Sequence, residues 1–239
     1  MAQAIGQRRG LSLALVMLVF MAGFVSLGVW QVHRLAWKEA LIARVDARVH
    51  AAPVPAPGPQ AWPSISAKNS EYRRISLTGQ FENVPATLVK AVTDKGSGFW
   101  VMAPFADQRG FTVLVNRGFV QDRKAGEKPA PTQKQRITGL LRITEPGGGF
   151  LQSNQPATNR WFSRDVSAIA RARHLTGFAP YFIDQSAGEV AADGPIGGLT
   201  VIRFPNNHLS YAITWFVLAA MSLFAAGWLI RERFRPTSG

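Results

Sequence analysis

Residues 11–30 read LSLALVMLVFMAGFVSLGVW, a run of 20 residues that carries no charge. At about 1.5 Å of rise per residue such a run makes roughly 30 Å of helix, the thickness of a bilayer's hydrocarbon core. Near the other end, Leu209 to Ile230 is a second charge-free run, of 22 residues. A buried core helix rarely needs that much sequence without a charge, so the two runs read as membrane spans. A cleaved signal peptide is the competing reading of the first, since Arg8 and Arg9 precede it and Ala22-Gly23 supplies small residues. Its apolar run is longer than the roughly 7–15 residues of a signal core, and it ends in bulky Trp30-Gln31 instead of a small-x-small cleavage site. It reads as an uncleaved anchor.

Two spans place both termini on one side. The expected plan is a tail over 1–10, a span over 11–30 and a helical juxtamembrane extension over 31–50. A proline-rich spacer over 51–63, an external domain over 64–207, a span over 208–230 and a tail over 231–239 complete it. Arg8, Arg9, Arg231, Arg233 and Arg235 flank the spans on the tail side, against Arg34, Lys38, Arg44 and Arg203 on the loop side. That bias favours cytoplasmic tails, although long translocated domains largely ignore the rule. A composition rich in Ala and Arg points to a bacterium, hence to a multi-pass protein of the cytoplasmic (inner) membrane with a periplasmic middle domain.

The net charge is +13. All but five of the 27 Lys and Arg residues, and all but one of the 14 Asp and Glu, lie between residues 31 and 207. A basic loop between anchors can attract anionic lipid headgroups or an acidic partner, though scattered basicity also simply solvates a surface. Nucleic acid is not expected as a partner, because the basic residues form no stripe and the domain is tethered to a membrane. The chain has no cysteine, which removes disulfides, thiolate catalysis and Cys-based metal sites. Its five methionines do not cluster, so a thiol or thioether copper carrier is excluded as well.

The middle of the chain reads as strands with one helix. Tyr72–Phe81, Thr87–Val92, Phe99–Phe105, Phe111–Val120, Arg136–Thr144, Tyr181–Asp184 and Leu199–Phe204 have strand character. Phe99–Phe105 and Phe111–Val120 form a hairpin through Ala106–Gly110, and both faces of the second arm are expected to be covered. Asp165–Leu175 has helical spacing and is closed by Gly177. The fold class is therefore a membrane protein in which two transmembrane α-helices flank an external α+β domain with a mostly antiparallel sheet. Five prolines between Pro53 and Pro63 make neither helix nor central strand, and predict an extended spacer that stands the domain off the bilayer.

No nucleophile elbow, zinc-protease helix or phosphate-binding glycine loop is present, and no carboxylate pair is singled out. An enzyme acting on lipid or cell-wall substrates would need a nucleophile and base brought together by the fold, and the expectation is a protein that is not an enzyme. Among the four histidines, His208 stands at the mouth of the second span, above a helical face of Tyr211, Ala212, Trp215 and Ala219. Imidazole is the commonest haem-iron ligand, and aromatics beside alanines can receive a flat macrocycle. An interfacial histidine bonded to lipid phosphate or to the helix cap is the plainer reading. His33, at the matching end of the first span, is a candidate second ligand or simply interfacial. Asn206 or Asn207 is expected to cap the second span.

Four segments carry a family resemblance. They are Gly28-Val29-Trp30-Gln31-Val32-His33-Arg34-Leu35-Ala36-Trp37-Lys38, Val115-Asn116-Arg117-Gly118-Phe119-Val120, Arg160-Trp161-Phe162-Ser163-Arg164-Asp165-Val166 and Asn207-His208-Leu209-Ser210-Tyr211-Ala212-Ile213-Thr214-Trp215. In this order around two anchors they resemble the Surfeit-locus cytochrome c oxidase assembly family, the Shy-type proteins. Phe119 stands where the family often has tryptophan and Ser163 where it often has an aromatic residue. The resemblance implies participation in the biogenesis of haem-copper oxidases, at the step where haem a enters the catalytic subunit. It places the family's implicated histidine on His208, the expected ligand of the haem iron. Tyr211, Trp215, His33 and Arg34 join it as expected cofactor-binding residues, with Arg34, Lys38 and Arg203 pairing with the propionates. Arg117, Gly118 and Trp161 are expected docking contacts. The implied partners are the oxidase catalytic subunit, haem a synthesis or other assembly proteins, and membrane lipid. The alternative is a tethered scaffold for oxidase assembly that binds no haem.

Overall fold

The computed structural model describes residues 2–149, 151–188, 194–202 and 204–233. In chain order the elements are α1 (Ala2–His50), β1 (Val54–Pro55), β2 (Arg74–Phe81), β3 (Thr87–Thr93), β4 (Gly96–Asp107) and β5 (Phe111–Val120). They continue with α2 (Arg123–Gly126), β6 (Gln135–Ile143), α3 (Val166–Ala172), β7 (Phe178–Gln185) and α4 (His208–Arg233). The chain divides into two units, Met1–Arg44 with Arg203–Gly239, and Val45–Ile202.

The first unit is built on α1 and α4, both long and apolar enough to cross a membrane. The buried positions of α4 are small: Ala212, Ala219, Ser222 and Ala226. Their spacings of seven, three and four place them on one face, which lets a neighbouring helix approach closely. Phe24 of α1 stacks on Trp215 of α4, with centroids 5.7 Å apart. Elsewhere on both helices large apolar side chains face outward, Leu15 at 64% and Phe224 at 78% exposed.

The second unit corrects the expected sheet. Its strands run in the order β1-β2-β6-β7-β5-β4-β3, and β2 pairs with β4 as well, which closes β2, β6, β7, β5 and β4 into a barrel. The expectation of a mostly antiparallel sheet does not include this closure: antiparallel pairs are joined by two parallel ones, β1–β2 and β5–β7, and the sheet shuts into a barrel. Closure occurs where Gly79 faces Asp107 and Phe81 faces Phe105. A Cβ on Gly79 would stand 1.9 Å from the carbonyl oxygen of Ala106, so only glycine lets the strands cross there. Alternate residues fill the interior, among them Leu77, Phe105, Val113, Leu141, Tyr181 and Ile183. On the outside, Val166 and Ile169 of α3 cover Met102, Leu114 and Phe182. Both faces of β5 are thus buried, and its sequence runs apolar nearly throughout.

Two further expectations give way. Over 51–63 the chain does not stand free. Val54 and Pro55 pair with Ile75 and Ser76, the Ala56 N–H donates to Ser76 O at 3.0 Å, and Pro59–Ser64 forms a 3-10 turn. Pro57 O accepts from Tyr181 Oη at 2.7 Å and from Trp62 Nε1 at 3.1 Å. Proline's fixed φ suits an edge strand, and the one residue required to donate is an alanine. Nor does a strand form over 199–202, the described start of the expected Leu199–Phe204 strand. Thr200 instead donates to Asp184 Oδ2 at 2.9 Å.

Candidate functional site

In the first unit α4 starts at His208, and the Tyr211 N–H donates to the Asn207 carbonyl at 3.2 Å. Asn207 therefore holds the cap position through its backbone; Asn206 Oδ1 is buried with no hydrogen-bond partner among the described residues. His208 Nδ1 lies 2.8 Å from Gln31 Oε1. An amide oxygen only accepts, so in this contact Nδ1 donates, and Nε2 is the ring nitrogen that Gln31 does not engage. Gln31 is itself buried, and a buried amide keeps its orientation because leaving it unpaired is costly. A histidine oriented through Nδ1 is the arrangement in which Nε2 can serve as a ligand to a metal or haem iron.

The other expected residues are placed unequally. Trp215 lies two turns below His208 and stacks on Phe24, which stacks in turn on Phe20 at 6.0 Å. Tyr211 is exposed on α4. His33 is two residues beyond Gln31, about 200° around α1. It is exposed and makes no hydrogen bond or ion pair among the described residues. Arg34 lies over the Trp37 ring at 4.0 Å, and the Lys38 ammonium over Phe204 at 5.3 Å. Arg203 lies outside the described residues.

Gly118 and Trp161, expected as docking contacts, are interior. Gly118 has φ 132°, and a Cβ there would meet the Ile196 backbone at 2.3 Å. Trp161 packs in the cluster beneath α3, and its carbonyl accepts from the Lys90 N–H at 2.8 Å. Their motifs build a charge network that the strand pattern did not disclose. Asp184, only 4% exposed, accepts from Asn116 Nδ2 at 2.8 Å, Arg142 at 2.9 Å, Arg164 at 3.2 Å and Thr200 at 2.9 Å. Glu145 takes the far side of Arg164 at 2.7 Å, and Asp165 caps α3 by accepting from the Ala168 N–H. Burial alone would lower the pKa of Arg142; Asp184, Tyr72, Glu145 and Glu71 outweigh it and raise it. With Asp184 and Glu145 each tied to two guanidiniums, the arrangement pins β5, β6 and β7 together. The legible clue was the pair of motifs, Asn116-Arg117-Gly118 and Arg164-Asp165.

The chain matches the SURF1 family over residues 18–220. It belongs to that family. Surfeit locus protein 1 of Homo sapiens is 36% identical over 232 residues, 87% of this chain and 74% of that protein. The Mus musculus protein of the same name is 36% identical over 230 residues, covering 87% and 72%. A SURF1-like protein of Drosophila melanogaster is 32% identical over 232 residues, covering 87% and 74%. The SURF1 match takes in both the Gln31–His208 contact and the barrel network.

Proposed function

We propose that this SURF1-family chain is a non-enzymatic assembly factor for haem-copper cytochrome c oxidase that handles haem a on its way to the catalytic subunit. The observation that supports the reading is the Gln31–His208 hydrogen bond, which engages Nδ1 and leaves Nε2 as the nitrogen for an iron. When bound, haem a would supply an iron that accepts an imidazole, a flat ring and two propionates. His208 provides the donor and Gln31 holds its tautomer. Trp215 and Tyr211 offer aromatic surface, and Arg34 and Lys38, with Arg203, offer cations for the carboxylates. A farnesyl tail would find an apolar surround along the outward faces of the helices.

Those outward faces also support a membrane setting, because a helix that exposes leucine, phenylalanine and tryptophan needs lipid or protein to cover them. We place both spans in a bacterial cytoplasmic membrane, with the tails inside and the barrel in the periplasm, meeting the oxidase subunit, haem a synthesis or other assembly proteins. Purification from a host that makes haem a tests the reading. A wild-type preparation with a Soret band that is lost in His208→Ala supports it. A colourless wild type from the same membranes leaves a scaffold that binds no haem.

A further inference from the structure

Among the described residues, three half-buried arginines of the barrel, Arg142, Arg164 and Arg173, have hydrogen-bonded partners. Arg142 and Arg164 share Asp184 and Glu145. Arg173 has no carboxylate, but donates to Thr87 Oγ1 at 2.9 Å, Ala86 O at 3.2 Å and Asn159 Oδ1 at 3.1 Å. Arg117 has neither. Among the described residues no oxygen accepts from its guanidinium, which lies 5.4 Å from the centre of the Phe81 ring. Burial pushes its pKa down, with nothing to offset it. The cation cannot withdraw, because the residues on either side are fixed. Asn116 bonds Asp184 and the Gly118 N–H, and Gly118 is packed against Ile196.

Arg117 instead lines a cavity of about 200 Å³ together with Phe81, Pro131, Gln135, Gln185 and Ser186, and Gly188 and Gly194 line it as well. Phe81 and Pro131 keep one wall apolar, while the glutamine amides and the serine hydroxyl supply neutral hydrogen-bonding groups. A planar five-donor fork beside neutral hydrogen-bonding groups favours a planar, two-oxygen anion. We propose that Arg117 and this cavity form a carboxylate-binding site, filled either by a free small carboxylate or by an acidic side chain of a docked polypeptide. The site is independent of the haem reading.

Thermal unfolding of the full-length protein in detergent, at constant ionic strength, tests this. The probes are acetate, succinate, sulfate and a blocked Gly-Gly-Glu-Gly-Gly peptide. At a hundredfold excess over Kd, acetate, succinate or the peptide should raise the wild-type Tm saturably by about 5–10 °C. The Arg117→Met variant should show no such rise. A response to acetate or succinate identifies a free carboxylate, and a response to the peptide alone identifies a protein side chain. Without any probe, Arg117→Met should unfold no lower than wild type, because it removes a cation that has no partner. Four results would overturn the proposal: no response in the wild type, an equal response to sulfate, a Tm of unliganded Arg117→Met several degrees lower, or a response confined to the E189Q/D193N variant, which would make the carboxylate the chain's own.

Discussion

Gln31 and His208 are 177 positions apart in sequence and 2.8 Å apart in space. The reading from residues had found the histidine but not the amide that orients it, because a glutamine at a span's exit carries no signal until its partner helix is placed. Replacing Gln31 by leucine should leave His208 free to choose its tautomer and weaken haem a binding about tenfold, read from a Soret titration of the detergent-solubilised protein. At Asp184, substitution by alanine leaves two guanidiniums short of their shared carboxylate. It should cost about 3–5 kcal/mol, seen as a lower denaturant midpoint. Tyr181 gives a pH test. Burial raises its pKa above the usual 10, opposed by the Arg109 cation and aided by Asp107. A raised folded-state pKa means that this group's contribution is fully present below about pH 10 and is lost as pH climbs through the folded value. Tyr181→Phe should therefore flatten the alkaline loss of stability while leaving the profile below pH 9 unchanged in shape.

Among the elements, the strands from β2 to β7 were legible because apolar residues alternate and turns punctuate them. The pairing was not, since alternation names the buried face of a strand and never its neighbour. Closure rests on Gly79 passing Ala106, a contact between residues 27 apart that no local pattern encodes. The proline segment was misread for a related reason: the prolines excluded helix and central strand, but an edge position remained open, and Ala56 supplies the one N–H it needs. Ala56→Pro is then a sharp discriminator. In a free spacer a further proline would be harmless, whereas loss of the bond to Ser76 O should cost about 1–3 kcal/mol and lower Tm measurably. In the helix pair, Ala219→Leu should push α1 and α4 apart and lower haem a affinity without changing the far-UV helix signal.

For the whole molecule, two charge-free runs announced the helices at once, because length and polarity are one-dimensional properties. The course of the chain across a bilayer follows from them as a proposal, and a periplasmic reporter enzyme fused within 64–70 should be active while one fused after Arg233 should not. The four motifs carried the family, which the match over residues 18–220 then established. The measurement that bears most directly on the function is the haem a content of the oxidase catalytic subunit in cells lacking this protein. Complementation with wild type should restore haem a to that subunit, and His208→Ala, present in membranes at the same level, should leave it largely without haem. Full restoration by His208→Ala would contradict the account and remove the histidine from the function.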